Sequence, residues 1–173
     1  MPQIEPGSFP TSYIPTTTAA ATRAADLPIV NNLNPWFNAL EGTIYAEWSV
    51  AGAQAVNTPV WALQGSGVNL IRQRADNSRP FEVYVNNVQQ AAITPGSGGT
   101  GVVRMANGWM ASSFQCSLNG ALGSEVKAGN VPTVTQLSLG KASVVAATFT
   151  GYLRRIIYLP KRLTNQQLQG FSR

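Results

Sequence analysis

Residues 42–50, GTIYAEWSV, carry the pattern that decides the fold. Ile44, Ala46, Trp48 and Val50 fall on one side of an extended chain, and Thr43, Tyr45, Glu47 and Ser49 on the other. Successive side chains of a strand point to opposite faces. The alternation therefore predicts a half-buried β-strand with an apolar inner face.

The same reading extends along the chain. TPVWALQ (58–64) and GVNLIRQR (67–74) predict strands separated by GSG. RPFEVYVNNVQQAAI (79–93) predicts a hairpin with Phe81, Val83 and Val85 inward, and Asn86-Asn87 at its tip can adopt positive φ. GVVRMA (101–106) and GWMASSFQCSL (108–118) predict two further strands, and Asn119-Gly120 is a tight-turn signal. TQLSLG (135–140) and GYLRRIIYLP (151–160) complete the set. Short strands at even spacing, joined by Gly, Asn and Pro, predict an all-β sandwich or barrel. One helix is expected, at about Asn165–Gln169. Thr164 and Gln167 form a capping box, Leu163 and Leu168 occupy the staple positions, and Gly170 can close it.

The last predicted strand has two mixed faces. Leu153, Arg155, Ile157 and Leu159 share one, and Tyr152, Arg154, Ile156 and Tyr158 the other. An arginine on the buried side must be paired, because an unpaired buried charge is strongly destabilising. Glu47, Glu82 and Asp26 are the partners on offer among the scarce acids. Lys161 and Arg162 are expected in a solvated loop.

The chain of 173 residues is long enough for one domain with a real core. Charged residues make up 11%, well under the usual ~25%, so Ser, Thr, Asn, Gln and Gly must cover the surface. The net charge is +5, but the cations are scattered, with no basic arm. Nucleic acid is therefore not the expected partner, and an anionic glycan surface matches the charge equally well. Histidine is absent, which removes Ser-His-Asp triads, imidazole acid–base chemistry and the commonest metal ligand. The single cysteine, Cys116, alternates with Phe114 and Leu118 and is expected in the core. No apolar run approaches the ~20 residues of a membrane span, and without a charged n-region and apolar h-region at residues 1–35 no signal peptide is expected there. Residues 1–35 hold six of the eleven prolines and are expected as an extended segment, with a short strand at Leu27–Val30. Residues 36–173 are expected to form the sandwich.

GSFPTSYIPTTTAAATRAAD followed by EGTIYAEW, and later VPTVTQLSLG and GYLRRIIYLPKRLTNQQLQ, resembles the C-terminal module of tailed-phage tail-fibre and other virion proteins. That module is similar to the laminin-G-like, concanavalin A-like lectin/glucanase superfamily. The resemblance covers nearly the whole chain and is looser between Gly52 and Ser113. It implies a jelly-roll β-sandwich of two antiparallel sheets, with Leu27–Val30 paired to Tyr152–Leu159. It also implies that a separate β-domain precedes the GSFPTSYIPT stretch, so Met1 is expected to open a fragment or a short gene. The implied role is a non-enzymatic virion protein, placed in the phage particle. It would attach to a host surface glycan or decorate the particle through subunit contacts, as a homo-oligomer with a trimer favoured.

Three kinds of chemistry follow from the residues. Glucanases of the superfamily use Glu-x-Asp-x-x-Glu on one strand, and that pattern is missing. Glu41 and Glu47 are six apart, with Glu41 expected in the turn before the strand, and no catalytic residue is assigned. Calcium would need several oxygen ligands, and the one local cluster, RADNSR with Asp76 and Asn77, reads as a turn. No metal or other cofactor is expected. Glycan or partner contact is the remaining class, and its candidates are Tyr45, Glu47, Trp61, Tyr84, Trp109 and Arg155. Trp48 is inward by parity, and Trp36 is placed to plug the N-terminal segment against the sandwich. Trp61 can face either way, whereas Trp109, behind Asn107-Gly108 at an expected strand start, is read as exposed.

Overall fold

The computed structural model describes residues 28–96 and 101–173. Asp26, Leu27 and the Pro/Thr/Ala-rich stretch before them lie outside the described residues. Two antiparallel sheets stack as a jelly-roll β-sandwich. The strands are β1 (Ile29–Val30), β2 (Glu41–Val50), β3 (Pro59–Gln64), β4 (Leu70–Arg74), β5 (Phe81–Val85), β6 (Val88–Ile93), β7 (Val103–Met110), β8 (Ser113–Leu118), β9 (Ala121–Leu122), β10 (Gln136–Leu139) and β11 (Gly151–Leu159), followed by helix α1 (Asn165–Phe171). The first sheet runs β1-β10-β3-β4-β5-β6 and the second β11-β2-β7-β8-β9.

Parity places the core as expected in β2. Ile44, Ala46 and Trp48 face inward and meet Trp61, Leu63, Ile71, Phe81 and Val83 of the first sheet. Cys116 lies between Phe114 and Leu118, all three buried. The Asn86-Asn87 tip adopts φ of 48° and 67°, and Asn119-Gly120 of 47° and 82°, so both turns sit in the left-handed region that their residues tolerate.

Four expectations need correction. β1 pairs with β10, through Ile29↔Ser138 and Val30↔Leu137, and β11 pairs with β2 instead. The inward side chains Leu153, Ile156 and Tyr158 of β11 sit opposite the inward Trp48, Ala46 and Ile44, which commits β11 to the second sheet. Glu41 opens β2, with its carboxylate accepting from the Arg162 backbone N–H at 2.9 Å, and is not in the preceding turn. Asn107-Gly108 does not separate two strands, because β7 runs straight through it and turns at Ala111-Ser112. Gly108 serves a different need. A Cβ there would lie 3.1 Å from Arg162 Cδ and 3.5 Å from Leu168 Cδ1, so the missing side chain makes room for the α1 region. Finally, α1 passes through Gly170 to a C-cap at Ser172. Ser172 Oγ donates to Ser117 Oγ at 2.8 Å and accepts from Gly120 N–H at 3.1 Å, which anchors the helix end on the β8–β9 turn.

The start of α1 follows its sequence closely. Thr164 Oγ1 accepts from Gln167 N–H, and Gln167 Oε1 accepts from Thr164 N–H at 2.9 Å. Leu168 is fully buried against Tyr45 and Ala106, with Leu163 and Ile157 beside it. The helix thus covers one end of the outer face of the second sheet, and at the other end Tyr152, Arg154 and Arg155 are exposed among the described residues.

Candidate functional site: the open outer face of the second sheet

The two arginines at the centre of β11 are placed by a β-bulge. Leu153 pairs with Trp48, and the next partner of β2, Glu47, is Arg155. Arg154 is therefore the extra residue. A bulge puts two residues opposite one and re-aims the strand. Before it, Leu153 points inward; after it, Ile156 and Tyr158 do. The simple alternation assigned Leu153 and Ile156 to opposite faces, and the bulge returns both to the core. Neither arginine is buried, so the expected pairing of a core-side arginine does not arise. The Glu82 carboxylate is engaged elsewhere, by Arg72 and Arg74 of β4.

Across the outer face the register forms a row, Arg155↔Glu47↔Arg104, from β11 through β2 to β7. Arg104 Nε lies 3.6 Å from Glu47 Oε2, and the Tyr45 hydroxyl donates to the same oxygen at 3.2 Å. Burial under α1, reinforced by the hydrogen bond and charge of Glu47, pushes the Tyr45 hydroxyl pKa up. Tyr45 is thus a wall of the site with its ring buried. Phe171 extends the wall, edge-on to Tyr45 at 6.1 Å between ring centroids and 41% exposed. On the other side of the row stands Tyr152, paired with Ser49 and 54% exposed. Charged, hydrogen-bonding groups therefore lie between two aromatic side chains that reach solvent.

Of the six residues expected to contact a ligand, Tyr45, Glu47 and Arg155 are brought together here. Tyr84 is on the opposite sheet, where its hydroxyl accepts from Gln89 Nε2 at 2.8 Å. Trp61 and Trp109 are 0% exposed and pack on each other with centroids 6.4 Å apart. Trp109 faces inward because β7 is continuous, and the expectation of exposure rested on a break at Gly108. Trp36 packs edge-on to Tyr158 and Phe37. Arg104, Tyr152 and Phe171 were not singled out from sequence. Arg104 and Tyr152 could have been found by registering their strands on Glu47 and Ser49. Phe171 joins only through the docking of α1.

The other charged cluster is closed. Arg72 Nε donates to Glu82 Oε2 at 2.7 Å and Arg72 Nη2 to Asn57 Oδ1 at 3.1 Å. Arg74 pairs with Asp76 and with Glu82 Oε1 at 2.9 Å. Asp76 also accepts from Asn57 N–H at 3.0 Å, so RADNSR is tied into a buried network. Arg162, expected in solvent, is buried too. Its Nη2 donates to Asn165 Oδ1 at 2.8 Å and lies 3.5 Å from Glu125 Oε1, and burial lowers its pKa. Among the described residues, no three His, Cys, Asp or Glu side chains gather as a metal-ligand group. Glu41 and Glu47 are six residues apart on β2, roughly 20 Å at strand rise, far beyond the ~5 Å of a retaining carboxylate pair.

The architecture has known counterparts. The chain is similar to the CBM40 module of the Ruminococcus gnavus IT-sialidase bound to α2,3-sialyllactose, with 15% identity, a TM-score of 0.64, and coverage of 78% of this chain and 84% of that one. It is similar to domains LG4-5 of the mouse laminin α1 chain at 10% identity and a TM-score of 0.62, covering 78% of this chain and 38% of that one. A heptameric SAP-like pentraxin of Limulus polyphemus matches at 15% identity and a TM-score of 0.55, over 86% of this chain and 82% of that one. These likenesses show a concanavalin A-like lectin fold. No protein-family profile matches the sequence, and no curated protein does.

Proposed function

We propose that this chain is a non-catalytic glycan-binding module that works at the open outer face of the second sheet. The observation that carries the reading is the Arg155–Glu47–Arg104 row lying between exposed Tyr152 and Phe171. Sugars are held by aromatic stacking and by polar groups fixed in advance, and this face supplies both on a rigid sheet. The CBM40 neighbour, bound to a sialyllactose, supports the reading at the level of fold. The resemblance of GSFPTSYIPT and GYLRRIIYLPKRLTNQQLQ to tailed-phage modules supports its finer form, a homo-oligomeric host-attachment domain of a phage particle.

The test is a glycan array and a host-cell pull-down with the full chain, repeated with Tyr152→Ala and Phe171→Ala. Retention on glycan that either substitution weakens at least tenfold supports the reading. Absence of glycan retention, together with location of the protein in particle-surface contacts, would favour decoration instead. Release of reducing ends from a bound polysaccharide would overturn the non-catalytic assignment.

A further inference from the structure

The bulge in β11 leaves two adjacent guanidinium groups in solvent. Among the described residues, neither Arg154 nor Arg155 has a carboxylate within ion-pair distance, whereas Arg72, Arg74, Arg104 and Arg162 each have one. The contrast is chemical. In a chain with seven acids, carboxylates go to Arg72, Arg74 and Arg162, whose side chains are largely buried, and to the half-exposed Arg104. Neighbouring cations repel one another even in water, so a doubled arginine without an ion-pair partner is an electrostatic cost. Charges on an edge strand do discourage strand addition, but a single inward or outward lysine achieves that without distorting the ladder. Here the ladder is distorted, and the distortion aims both side chains away from the core beside an exposed ring.

We infer, resting on the glycan-binding reading above, that this bulge is the acid-recognition element of the site. The ligand is an anionic saccharide whose carboxylate sits on the Arg154–Arg155 pair, with a sugar ring against Tyr152. Guanidinium presents a planar fork that matches a carboxylate with two parallel hydrogen bonds. Among the described residues Glu47 makes no ion pair with either arginine; its Oε2 accepts from Tyr45 and faces Arg104. It sets the polarity of the site: sugar hydroxyls are accepted at the centre of the sheet, and the negative group is held at its edge.

The experiment compares acidic glycans (uronate-, sialate- and pyruvate-bearing) with their neutral counterparts on one array. The best acidic binder is then titrated into the full chain beside its methyl ester. Two variants are tested with it: Arg155→Gln, and deletion of Arg154. Deletion restores unbroken alternation, with Leu153 still opposite Trp48 and Arg155 opposite Glu47, and its urea midpoint, measured beside the parent's, separates loss of binding from unfolding. Expected results are hits confined to the acidic series, at least a tenfold loss on esterification, a similar loss in each variant, and weakening by high salt. Neutral counterparts that bind equally well, or variants that bind as the parent does, overturn the acid-recognition role and leave the glycan reading standing. A protein that retains no glycan of either series overturns both.

Discussion

Removing one arginine from the Arg154–Arg155 pair should leave the protein as stable as before, or slightly more so. Either deletion yields the same chain, GYLRIIYLP. The partners of β2 then read Trp48, Glu47, Ala46 against Leu153, Arg, Ile without a skipped residue. No inward side chain of β11 changes its place. One ordered residue, costing roughly 1–2 kcal/mol of backbone entropy, is no longer needed. Continuous pairing adds a ladder hydrogen bond worth about 1 kcal/mol net. The expected change lies between zero and about 3 kcal/mol on the stabilising side. Deleting one isoleucine of Ile156-Ile157 is the control. Every register that keeps Ile156 inward then turns Tyr158 out of the core. That breaks its stack on Phe37, at 5.5 Å between centroids, and its acceptance of the Asn38 N–H at 2.8 Å. Loss of a packed aromatic costs about 3–5 kcal/mol. Urea unfolding followed by tryptophan emission reads both variants, since Trp48, Trp61 and Trp109 are fully buried. An arginine deletion that costs as much as the isoleucine deletion would refute the bulge assignment.

Further predictions concern the closed parts of the molecule. Glu82→Gln strands Arg72, whose side chain is 6% exposed, and should cost about 3–5 kcal/mol by urea titration, with the Arg72→Met/Glu82→Leu pair recovering most of it. Gly65→Ala would put a Cβ 2.1 Å from the Thr133 carbonyl oxygen; a loss of about 1–3 kcal/mol is expected in the same assay. Burial pushes the Cys116 thiol from 9.0 up to about 12. The folded state thus favours the protonated thiol, and its contribution is full below about pH 9 and lost as pH climbs toward 12. A thiol reagent at pH 8 should label Cys116 only at the rate of unfolding.

Local chemistry made much of this fold readable. Alternation in β2 placed Ile44, Ala46 and Trp48, the Asn86-Asn87 and Asn119-Gly120 turns announced their φ angles, and the Thr164–Gln167 box began the helix. What escaped depends on a partner elsewhere in the chain. The bulge at Arg154 exists because β11 must keep Leu153 and Ile156 opposite Trp48 and Ala46 of β2. Gly108 looked like punctuation until the Arg162 and Leu168 side chains filled its place. Trp109 is hidden because β7 runs unbroken through Gly108 and turns it inward onto Trp61. Tyr45 and Glu47 could be placed on one face because β2 has clear parity, whereas Arg155 reaches that face through a bulge that alternation did not reveal. Phe171 was not, because nothing local says that the helix end returns to Tyr45.

The pairing of β11 with β2 also sets an order on birth. Gly151 meets Val50 across about a hundred intervening residues, and long closures of this kind are slow to form. A nascent chain with β2 through β9 already made still has one side of β2 bare, with the Trp48 indole uncovered by Leu153. Translation must therefore run some hundred residues past β2 before its last neighbour arrives. Chaperone contact, if the chain uses any, belongs to that interval.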